Sequence, residues 1–412
     1  MPRTNSKIFL LLYIASIAAM GPLLTDFYLP ALPSMMGAFD ASTTQVQLTI
    51  TCFLVGLAFG QLIMGPLSDR YGRKPVLAWT LGAFVVATFG CIFAKSIEVF
   101  IVFRLIQGLA GSGGVVVSRS IVADLFRGEE LIKFFALLGA IHGLAPIIAP
   151  ILGGIMLKFS DYQGIFVILC FVGILMFVAN LFFKESLGAE SSVDSGVESS
   201  VESSVESSVE SSVDSSAKPT FWSQFAYFHI LKNRAFMACV LTQSFCVGVI
   251  FAFISSSSFI FQEHFKLSEF AYSLLFAGVA FGTMLGSLLS PLFKSRKTAL
   301  VVGISWLGIM GAVLFLLLNL RVHFLLLEAG FFLAMIALGF ILPTSTALAM
   351  EMERKNAGSA SAVLGFGVFF IGGAVSPLTG LGGDIFLSTS LVMALCVVLS
   401  VIFGIKILHL VK

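Results

Sequence analysis

Apolar residues fall along this chain in long blocks, separated by short intervals that are polar or carry glycine and proline. The blocks lie near residues 8–29, 43–66, 75–95, 97–123, 131–157 and 163–183, and after a hydrophilic gap near 235–261, 268–292, 298–319, 322–349, 357–382 and 385–409. Each is close to the ~20 residues a helix needs to cross the hydrocarbon core of a bilayer. The pattern predicts an all-α membrane protein with twelve transmembrane helices in two pseudo-symmetric six-helix halves, 1–184 and 220–412. Between them, 185–219 repeats Ser-Ser-Val-Glu with a period of four, as in Val197-Glu198-Ser199-Ser200-Val201-Glu202. Such a period drifts round a helix, one valine per repeat buries too little apolar surface to offset chain entropy, and the spaced glutamates repel. A disordered cytoplasmic linker is expected there. Phe221, Trp222, Phe225, Tyr227 and Phe228 ahead of Lys232 and Arg234 fit an amphipathic stretch at the inner interface.

Charge supplies the orientation. With alternating sides, eighteen of the 24 Lys and Arg residues fall on one face, among them Arg70, Arg73, Lys74, Arg127, Lys133, Arg296, Lys297, Arg354 and Lys355. Four, Lys95, Lys158, Lys266 and Arg321, fall on the other, and only Arg104 and Arg119 remain within spans. A wrong helix count would scramble this segregation, so the basic face is read as cytoplasmic, with both termini on it. Composition agrees with the class, because 58% hydrophobic against 11% charged residues and a mean hydropathy of +1.03 do not suit a water-soluble fold. A net charge of +2 offers no patch for nucleic acid. The six cysteines sit inside apolar blocks without C-x-x-C spacing and read as reduced core residues; no metal or cofactor site is expected. The block Ile8 to Leu24 lacks a small-residue cleavage site and is read as a retained first helix.

Five motifs then narrow the reading. Gly65-Pro66-Leu67-Ser68-Asp69-Arg70-Tyr71-Gly72-Arg73-Lys74 forms a basic turn between the second and third blocks and resembles the loop signature of major facilitator superfamily transporters. The ending Thr25-Asp26-Phe27-Tyr28-Leu29-Pro30-Ala31-Leu32-Pro33, together with Arg104-Leu105-Ile106-Gln107-Gly108, is similar to the drug:proton antiporter branch and its Bcr/CflA subgroup. The fifth block adds Gly143, Pro146, Pro150, Gly153 and Gly154 in an arrangement similar to the antiporter signature of that branch, and Asn356 to Ala362 also resembles the subgroup. The resemblance implies a transporter and not an enzyme, exporting antibiotic-like compounds from bacteria across the inner membrane. It also implies that Arg73 holds Asp124, and that Asp69 caps the start of the eleventh helix near Ala357, latching the halves on the cytoplasmic side.

Elementary electrostatics picks candidates independently. Asp26 is placed about six residues from the outer end of helix 1, and Arg104 about seven from that of helix 4, so both lie roughly 10 Å deep and the opposite charges could meet. Each costs several kcal/mol there unless paired or facing a wet cavity. Asp26, Arg104, Glu328, Gln107 and Gln243 are therefore the candidates for proton coupling and the substrate cavity, with Glu328 open to either function or snorkelling. His142 as a relay is weaker, since a lone histidine between apolar residues more often serves packing. Gly108, Gly111, Gly113 and Gly114 read as packing residues and not as a phosphate loop, and Pro146 and Pro150 would loosen helix 5. No nucleotide-binding motif occurs, so the expected driver is the proton gradient, and a monomer is expected. A carrier of one metabolite, such as an amino acid or sugar, is the alternative; a sensor or scaffold would need a folded soluble domain.

Overall fold

The computed structural model describes residues 5–126, 128–186, 230–293, 295–353 and 357–410. Among these residues the chain folds into twelve long helices. The first half is α1 (Lys7–Asp26), α2 (Thr43–Tyr71), α3 (Arg73–Phe93), α4 (Ile97–Leu125), α5 (Gly128–Met156) and α6 (Tyr162–Phe182). The second is α7 (Arg234–Ser258), α8 (Glu269–Leu289), α9 (Arg296–Asn319), α10 (Phe324–Met352), α11 (Ala357–Val375) and α12 (Ile385–Leu410). Eleven are long and apolar enough to span a bilayer, and Gly143–Met156 is the described apolar part of the other, α5. Most of the Ser-Val-Glu linker lies outside the described residues, as do the side chain of His142 and the side chains at 357–359 where the eleventh-helix latch was expected.

Helix ends follow the side chains that can close them. Ser42 takes the backbone N–H of Gln45 while Gln45 takes that of Ser42, a capping box that starts α2; Ser96, Asp161, Asn233, Ser268 and Ser295 cap their helices likewise. The turn between α2 and α3 is made at Gly72, whose φ of +97° a side chain would resist. Glu185, just after α6, accepts from the backbone N–H groups of Arg73 and Lys74 at 2.9 and 3.0 Å. The start of α3, with its exposed amides, is thus closed from 111 residues away. One expectation shifts. Helix 1 does not run past Asp26 but breaks there, and a single turn at Leu29–Ala31 leads into a short helix, Leu32–Phe39, that completes the span.

Within each half two helices touch backbone to backbone. A Cβ on Gly108 of α4 would stand 2.0 Å from the Phe53 carbonyl oxygen of α2, and one on Gly286 of α8 would stand 2.2 Å from that of Ile336 on α10. The repeat of this close contact in both halves expresses the pseudo-symmetry. The halves meet along α5 with α8 and α2 with α11. Gly154 of α5 faces the Glu269 carbonyl and Ser273 of α8, and Gly373 of α11 faces the Thr51 carbonyl of α2. The outer surface presents Val86, Phe89, Phe93, Phe171, Leu175 and Phe182 exposed, a surface that suits lipid and not water.

Hydrogen bonds between described residues of the two halves all lie at the face away from the 65–74 turn. Gln47 donates to the Ser255 carbonyl and the Thr379 hydroxyl, both at 3.0 Å, Thr44 donates to the Gly380 carbonyl, and Gln262 donates to the Pro30 carbonyl. Lys158 lies 4.1 Å from the centre of the Phe270 ring at the same face. The molecule is therefore tied shut at one face.

Candidate transport cavity

Below that tie, between the halves, is a cavity of about 820 Å³. Its wall is built from α1, α4, α5, α7, α8, α10 and α11, and only Thr25, Asp26, Arg119, Thr283 and Ser287 among its twenty-five lining residues are polar or charged. Phe251, Phe253, Phe276 and Phe369 are among the rest, so part of the sequence's phenylalanine content lines the cavity. The cavity reaches from Asp26 toward the turn face. Arg119 comes one helical turn after Val115 and Val116; Val116 lies beside Gly65 at the head of the turn, and Ser287 and Leu288 are in the last turn of α8.

The break of α1 places Asp26. Because the helix stops there, its last carbonyls lack helical partners. Arg104 of α4 answers one of them: its guanidinium donates to the Leu24 carbonyl at 3.1 Å, to the Thr49 carbonyl at 3.4 Å and to Gln107. The Tyr28 and Phe53 rings each lie 4.4 Å from its central carbon. Gln107 passes the chain on to the Thr88 hydroxyl at 2.8 Å. Arg104 and Gln107 are both fully buried and neither lines the cavity. This corrects the expectation of an Asp26–Arg104 pair. Equal depth on two helices does not set which way each side chain points, and here the cation turns to the carbonyls of α1 and α2. Arg104 positions the break that presents Asp26, and it does not contact the carboxylate.

The other candidates separate. Glu328 is half-buried in α10 facing Gly278 of α8, outside the cavity wall, with Oε2 buried and without a hydrogen-bond partner. Gln243 accepts from the Thr346 hydroxyl at 3.2 Å, a link from α7 to α10, and does not line the cavity either. In α5, Gly143 and Pro146 are in the wall. Gly153 makes room for the Phe27 carbonyl just past the α1 break, and Gly154 for α8, while Pro150, inside α5, does not line the cavity. Arg119, noted in the sequence as a span residue and given no task, proves to be in the wall. Its signal was visible, since a charge within a span is a functional candidate.

At the turn, Arg73 is buried and donates to Asp124 at 2.8 Å and to the Ser68 hydroxyl at 2.8 Å, besides pairing with Asp69 one turn back. Ser186 donates to Asp124 at 3.2 Å, and Lys74 donates to the Leu181 carbonyl at 2.9 Å. The Arg73–Asp124 contact implied by the resemblance is present. Arg70 lies 5.4 Å from the Tyr71 ring.

The Major Facilitator Superfamily model matches residues 11–377. The chain belongs to that superfamily. The transporter is 33% identical over 386 residues to the MFS-type transporter YdgK of Bacillus subtilis, covering 92% of this chain and 90% of the relative. It is 26% identical over 416 residues to a bicyclomycin resistance protein homolog of Haemophilus influenzae, covering 98% and 96%. A solved bacterial homolog of the human lysosomal transporter Spinster, in an inward-facing and occupied conformation, superposes with a TM-score of 0.74 over 98% of both chains at 15% identity, a likeness of fold. The protein is thus a multi-pass membrane transporter with the twelve-helix fold expected from its hydropathy pattern.

Proposed function

We propose that this transporter is a drug:proton antiporter of the Bcr/CflA type, exporting small, largely apolar compounds across the bacterial inner membrane. The observation that carries the reading is the cavity: about 820 Å³, within the ~300–1,000 Å³ of small-molecule sites, walled mainly by phenylalanine and aliphatic side chains, with Asp26 its one carboxylate among the described lining residues. An apolar wall suits apolar cargo, and a sugar carrier would need more hydrogen-bonding groups than the wall offers. The homolog named for bicyclomycin resistance supports the same direction. With the 65–74 turn and both termini cytoplasmic, the cavity opens inward and is closed outward by the Gln47 contacts. Substrate enters from the cytoplasm or inner leaflet. Asp26 releases its proton inward as cargo binds and takes one from outside after the halves rock, and each proton driven by 100 mV supplies ~2.3 kcal/mol.

The test is transport in proteoliposomes under an imposed pH gradient, across antibiotics, lipophilic dyes, amino acids and sugars. Gradient-dependent movement of the apolar compounds is expected. Movement of an amino acid or sugar alone would overturn the reading in favour of a metabolite carrier.

A further inference from the structure

The cavity's cation has no task in the proposal above. Arg119 lines the wall and is exposed into it, yet it forms no ion pair or hydrogen bond with any described residue. The other cation within a span, Arg104, is held by carbonyls and two rings, and Arg73 at the turn by two carboxylates and Ser68. Around Arg119 the wall is apolar: Val115 precedes it by one turn on α4, and Leu144 of α5 and Leu288 of α8 line the same end of the cavity. A guanidinium in such surroundings is costly unless an anion meets it. Asp26 is not that anion. Val115 packs beside Gly21 on the antiparallel α1, so Arg119, four residues further on, is separated from Asp26 by roughly nine residues of helix rise, ~14 Å.

We propose that Arg119 is a specificity-determining residue that binds the acid group of the cargo, so that preferred substrates are apolar bodies carrying one anionic group. The inference rests on the export reading and names its substrate class. The aromatic stretch of wall between the two charges takes the apolar body, and the planar five-donor guanidinium at the inner end takes a carboxylate in bidentate fashion. Asp26 at the far end stays with the proton, distant enough not to repel the cargo's charge.

The probe pair is 1-naphthoate and 1-naphthamide, equal in shape and differing in charge. Binding to detergent-solubilised wild-type protein, followed by calorimetry, is expected to favour naphthoate roughly ten- to hundred-fold, the range of a charge-assisted bidentate contact. Arg119→Gln should remove that preference and leave naphthamide binding within about two-fold, and Arg119→Lys should keep part of it. Equal binding of the two probes by the wild type would overturn the proposal, as would an equal loss of both in the Gln variant, which marks a packing role. Suppression of naphthoate preference by chloride replacing methanesulfonate at constant ionic strength would also overturn it, assigning the site to an inorganic anion. Should Arg119→Gln fail to accumulate, the wild-type ratio and Arg119→Lys still decide. Because binding is read apart from transport, failure of gradient-driven export would sink the export reading without touching this result.

Discussion

At the scale of single residues, two side chains of opposite charge that the sequence suggested as a pair have separate surroundings. Asp26 faces the cavity, and a group that drives antiport must exchange its proton in each cycle. A carboxamide cannot. Asp26→Asn is therefore expected to reduce gradient-driven export at least ten-fold while apolar cargo still binds within a few-fold; normal substrate-induced proton release from the solubilised variant would remove Asp26 from the coupling role. Arg104 is expected to behave as a structural residue. Arg104→Gln leaves the Leu24 and Thr49 carbonyls without their charged donor, a loss of about 3 kcal/mol. It should lower the melting temperature in detergent and leave the pH profile of the surviving transport unchanged. A displaced pH optimum in stable protein would return Arg104 to the coupling site. The depth of both residues was legible, because hydropathy fixes position along a span. Their facing was not, since each residue turns a helix by 100° and only packing decides which side meets the cavity.

At the scale of elements, glycine placement decides which helices approach closely. The small residues of α4 were readable as packing residues, but their partners were not, because a Gly-rich stripe is complementary to any smooth helix face. The structure pairs Gly108 with the Phe53 carbonyl, backbone that has no rotamer to yield. Gly108→Ala should therefore separate α2 from α4 and cost about 1–3 kcal/mol, read as a fall in melting temperature. Gly37→Ala is the matched control, since its Cβ meets nothing within 4 Å, and it is expected to be neutral or stabilising by up to about 1 kcal/mol. Stabilisation by both would mean that helix propensity, not the contact, governs. The α1 break was half legible: Pro30 and Pro33 announced an interruption, but a helix can carry proline in its first turn, and here the proline-bearing segment starts a new helix while the old one ends four residues before Pro30.

At the scale of the whole molecule, the number of helices and their division into halves were legible, since each depends on sums over many residues that no single error undoes. Which face is closed was not. A transporter's sequence must support both closed faces with nearly equal free energy, so it carries the contacts of each, and only the fold shows which set is made. The set made here centres on Gln47, fully buried on α2, whose amide joins α7 through Ser255 and the turn after α11 through Thr379. Those two bonds are present only while this face is shut. At about 1 kcal/mol each, their loss in Gln47→Leu, which keeps the volume, should shift the equilibrium toward opening at this face by roughly thirty-fold. Spin labels at the exposed Ala38 and Glu263, one on each half, report the distance across the tie in a background without native cysteines. The Leu variant should populate a longer distance absent from the parent, and turnover should fall because return to the state seen here becomes slow. An unchanged distance distribution with unchanged turnover would show that the apolar contacts of α2 with α11 hold the face shut without Gln47, and would take this residue out of the gate.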